Sequence, residues 1–113
     1  MGKIYVLRFR SQDKHIFDFI KNGKKTVETR ANTARYAHIK PGDILKFMCG
    51  KYFFEKSVKA VRKFKTIKEL TESYLVQSIN PLVNSKEELA KMYKSFPGYE
   101  EKIQQFGIIA MEL

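Results

Sequence analysis

Apolar and polar residues alternate along the chain with two periods, and the switches between them predict its elements. Ile4 to Phe9 is rich in β-branched and aromatic residues and reads as a strand. Ser11 follows as a candidate N-cap with Asp13 in the first turn, and Ile16, Phe17, Phe19 and Ile20 recur at helical spacing up to Asn22-Gly23. This predicts a helix from about Gln12 to Asn22. Lys24 to Arg30 alternates as a short strand, with Thr26, Glu28 and Arg30 on one side and Lys25, Val27 and Thr29 on the other. Pro41-Gly42-Asp43 is a turn before the strand Ile44 to Cys49, and Gly50-Lys51 reads as a hairpin connection. One long strand is expected from Tyr52 to Phe64, with Tyr52, Phe54, Val58 and Ala60 inward and Glu55, Ser57, Lys59 and Lys63 facing water.

The second part is helical. Thr66-x-x-Glu69 and Ser85-x-x-Glu88 both match the capping box, in which hydroxyl and carboxylate satisfy backbone amides reciprocally. Ile67, Leu70 and Tyr74 form one apolar stripe; Leu89, Met92, Tyr93 and Phe96 form another, stopped by Pro97-Gly98. Phe106 to Leu113 reads as a closing strand. The order β-α-β-β-β-α-α-β predicts a single α+β domain over residues 1–113, a small curved or closed sheet with helices against its ends.

Composition narrows the function. The chain has 113 residues, 22 of them Lys or Arg and 12 Asp or Glu, for a net charge of +10. Residues 1–65 carry 17 of the basic residues and 5 of the acidic ones, so the excess is confined to one part of the chain. Charge placed this way predicts a face that meets an anion. One cysteine, Cys49, excludes an internal disulfide and any all-cysteine metal site, and two histidines, His15 and His38, are too few for most zinc schemes. No metal or cofactor is expected. Absent an apolar run of about 20 residues, no membrane partner is expected, and the predicted setting is cytoplasmic and reducing.

Candidate chemistry gathers near the first helix's end. Gly23-Lys24-Lys25-Thr26 begins where a helix stops, at the negative end of its dipole, so it is not a phosphate loop of the nucleotide-hydrolase kind. Glu28 and Arg30 on one strand face would set a fixed acceptor beside a fixed donor; a plain surface pair is the bland alternative. Arg8 and Arg10 flank the first strand's exit, and Tyr5, Phe9 and Tyr36 could stack bases there. Phe17, Phe19, Phe54, Tyr93 and Phe96 fit apolar faces and are assigned to packing. Lys51, Lys56, Lys59, Arg62, Lys63 and Lys65 could track a phosphate backbone or form a solvated edge. Cys49 reads as a small core residue, and Ser85 as a cap.

The stretch Gly23-Lys24-Lys25-Thr26-Val27-Glu28-Thr29-Arg30, followed by Ile39-Lys40-Pro41-Gly42-Asp43-Ile44-Leu45-Lys46-Phe47, a long strand, Phe64-x-Thr66 and Phe96-Pro97-Gly98, resembles the ASCH domain of the PUA-like β-barrel superfamily. The resemblance covers nearly the whole chain. It implies a small β-barrel with a cleft beside the Gly-Lys-Lys-Thr turn, RNA or nucleotide-like ligands, and in a few members hydrolysis. The implied ligand-binding residues are Lys24, Lys25, Thr26, Glu28 and Arg30, with Arg8, Arg10 and Tyr36 added from the residue reading. A bacterial branch hydrolyses N4-acetylcytidine with a lysine, a threonine and a glutamate. Lys25 matches the lysine, but Glu28 stands at the threonine position, and no glutamate occupies Leu82 to Asn84. The expected function is therefore RNA or nucleotide binding. The alternative is a small hydrolase of a modified pyrimidine nucleoside or of RNA, with Lys25 and Glu28 as catalytic residues.

Overall fold

The structure, a computed structural model, describes residues 2–113. Six strands form two three-stranded sheets, so the α+β class holds while the expected closed barrel does not. In the first sheet β1 (Ile4–Phe9) runs parallel to β3 (Ile44–Cys49), which forms an antiparallel hairpin with β4 (Tyr52–Ser57). In the second sheet β2 (Val27–Ala31) and β5 (Ala60–Phe64) flank β6 (Ile108–Glu112), antiparallel on both sides.

The expected single strand from Tyr52 to Phe64 is two strands in different sheets. Burial alternates from Phe53 to Lys59, but Tyr52 is exposed, the hydrogen-bonding partner changes at Val58-Lys59, and β5 turns Val61 to one core and Phe64 to the other. Val58 pairs its backbone with Gly42 and Asp43, whereas Lys59 N donates to Glu112 O at 2.7 Å. A period of two reports which way side chains point and not which strand lies alongside.

Leu7, Leu45 and Phe47 of the first sheet meet Ile109 and Met111 of the second, with Phe17 and Ile20 of α1 (Lys14–Lys21) closing this core. The second sheet's other face, Val27, Ala31, Ile108 and Ala110, packs on the helical half. That half comprises α2 (Ile67–Ser73), α3 (Val76–Ile79), α4 (Lys86–Ser95) and α5 (Tyr99–Phe106). β6 is thus covered on both faces, which explains its uninterrupted apolar run Ile108-Ile109-Ala110-Met111.

Several boundaries differ from expectation. Ser11–Asp13 forms a 3-10 turn before α1, and neither Ser11 nor Asp13 caps a backbone amide; Asp13 Oδ2 instead accepts from Arg10 Nε at 3.0 Å. The second strand starts at Val27, because Lys25 N donates to Phe19 O and holds Lys24 to Thr26 against the end of α1. Thr66 and Ser85 do cap their helices, each hydroxyl accepting from the amide three residues on at 3.1 Å. The return arm of the second box shifts by one residue: Glu88 Oε2 accepts from Asn84 N.

α3 and α5 were not expected. α3 is one turn with too few residues to show a period. α5 absorbs Phe106, so the last strand begins only after Gly107. Gly107 has φ of +78°, and a Cβ there would lie 2.5 Å from Phe64 O, so the turn from α5 into β6 requires glycine. Among the described residues, no helix is long and apolar enough to cross a membrane, and no three His, Cys, Asp or Glu residues cluster to hold a metal ion.

Candidate ligand-binding cleft

β2 is an edge strand lying between the two cores, and almost all of it is buried. A strand so placed would ordinarily be apolar, yet this one reads Val-Glu-Thr-Arg-Ala. Its buried polar side chains must find partners inside the protein, since a buried charge without one is costly.

They do so around Glu28, which is 5% exposed. Its Oε1 lies 3.3 Å from Lys25 Nζ and accepts from Thr29 N at 3.1 Å; its Oε2 accepts from Arg30 Nη2 at 3.2 Å. Lys25 is 3% exposed, and its ammonium also donates to Val27 O at 2.7 Å and to Ile79 O. Three acceptors thus meet three N–H donors, and the bond to Ile79 ties the start of β2 to α3. The expected separation of Lys25 from Glu28 onto opposite faces fails because residue 25 precedes the strand and does not follow its alternation.

Arg30 points the same way as Glu28 along β2. Its guanidinium lies over the Phe9 ring at 5.4 Å and the Tyr36 ring at 5.6 Å. Cation–π contacts on two rings, together with the Glu28 bond, fix the guanidinium plane. The arrangement is a buried acid between two cations, with the outer cation 21% exposed.

The electrostatics follow. Burial alone would raise the Glu28 carboxyl, but Lys25 and Arg30 outweigh it and hold it below the usual carboxylate range. Burial pushes the Lys25 ammonium down, against the pull of Glu28. Arg30 is likewise desolvated, and the Glu28 carboxylate more than compensates, keeping the guanidinium charged.

Above this floor opens a cleft of about 310 Å³ between the two halves of the molecule. Phe9, Arg10, Asp13 and Ile16 border it on one side, with Arg8 at the rim. Tyr93 of α4, Phe96 immediately after that helix and Tyr99 of α5 form the opposite wall, joined by Asn80 and Met92. Tyr93 and Tyr99 lie nearly parallel, ring centroids 6.1 Å apart, and Phe96 meets both edge-on. The Tyr93 hydroxyl bonds Thr29 Oγ1, and the Tyr99 hydroxyl accepts from Ala31 N at 3.1 Å. These bonds occupy two features of β2 that no strand covers. Burial pushes both phenols up, so they stay neutral near pH 7. Four cationic side chains and two carboxylates line the cleft, a balance that favours an anion.

Among the residues singled out from sequence, Arg8, Arg10, Lys25, Glu28 and Arg30 border this cleft. Lys24 and Thr26 do not: both are exposed, and Thr26 contributes backbone bonds to Ser78 and Leu113. Tyr36 lies outside the lining and acts through Arg30. The basic run from Lys51 to Lys65 divides between the sheets. Within it, Arg62 stacks on Phe64 and Tyr74, while Lys63 Nζ donates to Ala37 O at 2.8 Å. Sequence reasoning missed Tyr99 and Asn80. It assigned Tyr93 and Phe96 to packing alone, although they pack and line the cleft together. The Phe96-Pro97-Gly98 segment was the available signal, since its glycine, with φ of +72°, starts α5 immediately before Tyr99.

Comparison with known proteins adds to this geometry. No curated protein matches the chain. The crystal structure of a hypothetical protein, PH0355, superposes with a TM-score of 0.79 at 35% identity, over 99% of this chain and 96% of that one. The solution NMR structure of protein PF0455 from Pyrococcus furiosus gives a TM-score of 0.73 at 31% identity, over 99% of this chain and 94% of that one. The family model for the ASCH domain, generally an RNA-binding domain, matches residues 12–112. On that match the chain belongs to the ASCH-domain family.

Proposed function

We propose that the cleft binds a nucleotide of single-stranded RNA. The observation that carries this reading is Arg30. It is held between Phe9 and Tyr36 and anchored by Glu28 through one Nη2 bond, with further donors of its fork available to the cleft. A guanidinium fixed in this way donates to base carbonyls or phosphate oxygens, and the half-buried rings of Phe96 and Tyr99, backed by the buried Tyr93, offer a surface to a flat base. Arg8 and Arg10 at the rim meet the phosphates. A volume of about 310 Å³ suits a single nucleotide unit, near the lower end of ligand pockets. Lys25 and Glu28 hold Arg30 and the edge of β2 in place.

The same geometry weighs against turnover by Lys25 and Glu28, in which they would hydrolyse a modified pyrimidine nucleoside or RNA. A general base working near neutrality needs a carboxyl raised toward that pH, and two cations lower Glu28 instead. The Lys25 ammonium already spends its three donors on Val27, Ile79 and Glu28.

The test is titration of fluorescent single-stranded oligouridine into wild type and into an Arg8→Ala, Arg30→Gln double variant. Thermal melting of each protein serves as the folding control. The reading predicts at least a tenfold weaker Kd for a folded double variant, about 1.4 kcal/mol. Equal affinity in the two proteins would contradict it.

A further inference from the structure

The cleft mouth continues onto a surface that the single-nucleotide site leaves unused. β1, β3 and β4 turn Leu7, Phe47 and Phe54 inward, so the alternate residues form the outer face of the first sheet. No helix covers this face near β4, where Phe53 is 60% exposed. The strand register aligns Arg8, Met48 and Phe53 in one row across the sheet. Arg8 Nη1 reaches Met48 Sδ at 3.6 Å, and Lys46 Nζ lies over the Phe53 ring at 4.7 Å. The row spans two strand spacings, about 10 Å. Its first member, Arg8, also borders the cleft.

We infer that this row is a second RNA contact, in which a base next to the one in the cleft stacks on Phe53 while Arg8 and Lys46 hold the connecting phosphates. The inference rests on the cleft binding RNA and extends the path of the strand. An exposed ring beside cations is the combination that binds single-stranded nucleic acid without reading its sequence. Glu55, opposite Lys46 on the same face, is the acid that opposes these cations. Charge decides against a second copy of the chain as the occupant. Two molecules at +10 repel, and Arg8 and Lys46 place part of that charge on this face. A polyanion gains from the same charges.

The experiment compares uridine monophosphate with a single-stranded uridine hexanucleotide, using wild type, Phe53→Ala and Phe53→Tyr. Phe53 is exposed, so its replacement leaves the core intact. The expected result is a hexanucleotide affinity about 5- to 140-fold lower in Phe53→Ala, the loss of one stacked base. Phe53→Tyr should retain binding, and the mononucleotide affinity should not change. An unchanged hexanucleotide affinity in Phe53→Ala overturns the inference. So does self-association of the wild type that Phe53→Ala abolishes, which would assign the face to a second copy. If the mononucleotide fails to bind wild type while Phe53→Ala still weakens the hexanucleotide, the second contact stands and the cleft reading falls.

Discussion

Glu28 holds two cations on one buried carboxylate, and removing it would strand both. Breaking a buried pair from one side costs about 3–5 kcal/mol, because the desolvated partner keeps its charge and loses its counter-charge. Glu28→Ala should therefore lower unfolding free energy by about that amount in a denaturant titration. Lys24→Ala and Thr26→Ala, both exposed and outside the cleft, should change it by no more than about 0.5 kcal/mol. The same carboxylate sets an acid limb. Its folded pKa lies below its unfolded value, so the unfolded chain binds more protons there and stability rises with pH through that window. Asp43 acts in the same direction, since the amides of Lys3 and Lys40 bond its buried carboxylate and hold it low. The stabilisation is complete above the ordinary carboxylate range and should be lost as pH falls from about 4.5 through the folded values. Glu28→Gln should flatten this limb, and urea midpoints between pH 3 and 6 would show it.

β2 and α4 are coupled through Thr29 and Tyr93, which lie 64 positions apart in sequence. Each hydroxyl is buried, so removing one leaves the other without its partner, at about 1–3 kcal/mol. A Thr29→Val, Tyr93→Phe double variant should cost less than its single variants combined, with an interaction energy of at least about 0.5 kcal/mol. Additive costs would mean that the bond contributes nothing. This coupling also marks what the sequence could and could not reveal. Strands and helices with a clean period were legible: β1, β3, α4 and the capping hydroxyls of Thr66 and Ser85 stand close to where their patterns put them. The Tyr52–Phe64 run misled because apolar residues continue past Val58 while the chain changes sheets, and in β5 they face two cores, Val61 one and Phe64 the other. The pairing of Glu28 with Arg30 was legible, since residues two apart on a strand share a face and set an acceptor beside a donor. Tyr99 and Asn80 were not, because their relation to β2 exists only once the helical half packs against its edge.

For the whole molecule, the +10 charge divides into groups with different tasks. Lys25 and Arg30 are bound to Glu28, Arg62 stacks on rings, and Arg8, Arg10 and Lys46 remain on the surface around the cleft mouth and sheet face. Surface cations that neutralise phosphates release counterions, so binding should weaken with salt by about 0.7 in log–log slope for each contact on a single strand. Oligouridine titrations from low to physiological salt should give a slope steeper than about −2, with contributions from Arg8, Arg10 and Lys46. Arg8→Ala should reduce that slope by about one contact's share. A flat salt dependence would remove the phosphate contacts from the account.

The location of binding is read by amide NMR spectra recorded as oligouridine is added to the labelled protein. Shifts should concentrate at Thr29, Arg30, Asn80, Tyr93 and Tyr99, and extend along β1 to Arg8. Shifts confined to Lys59 through Lys65, with the amides of β2 and α4 unmoved, would mean that RNA meets only a diffuse basic surface and that the cleft is not its site.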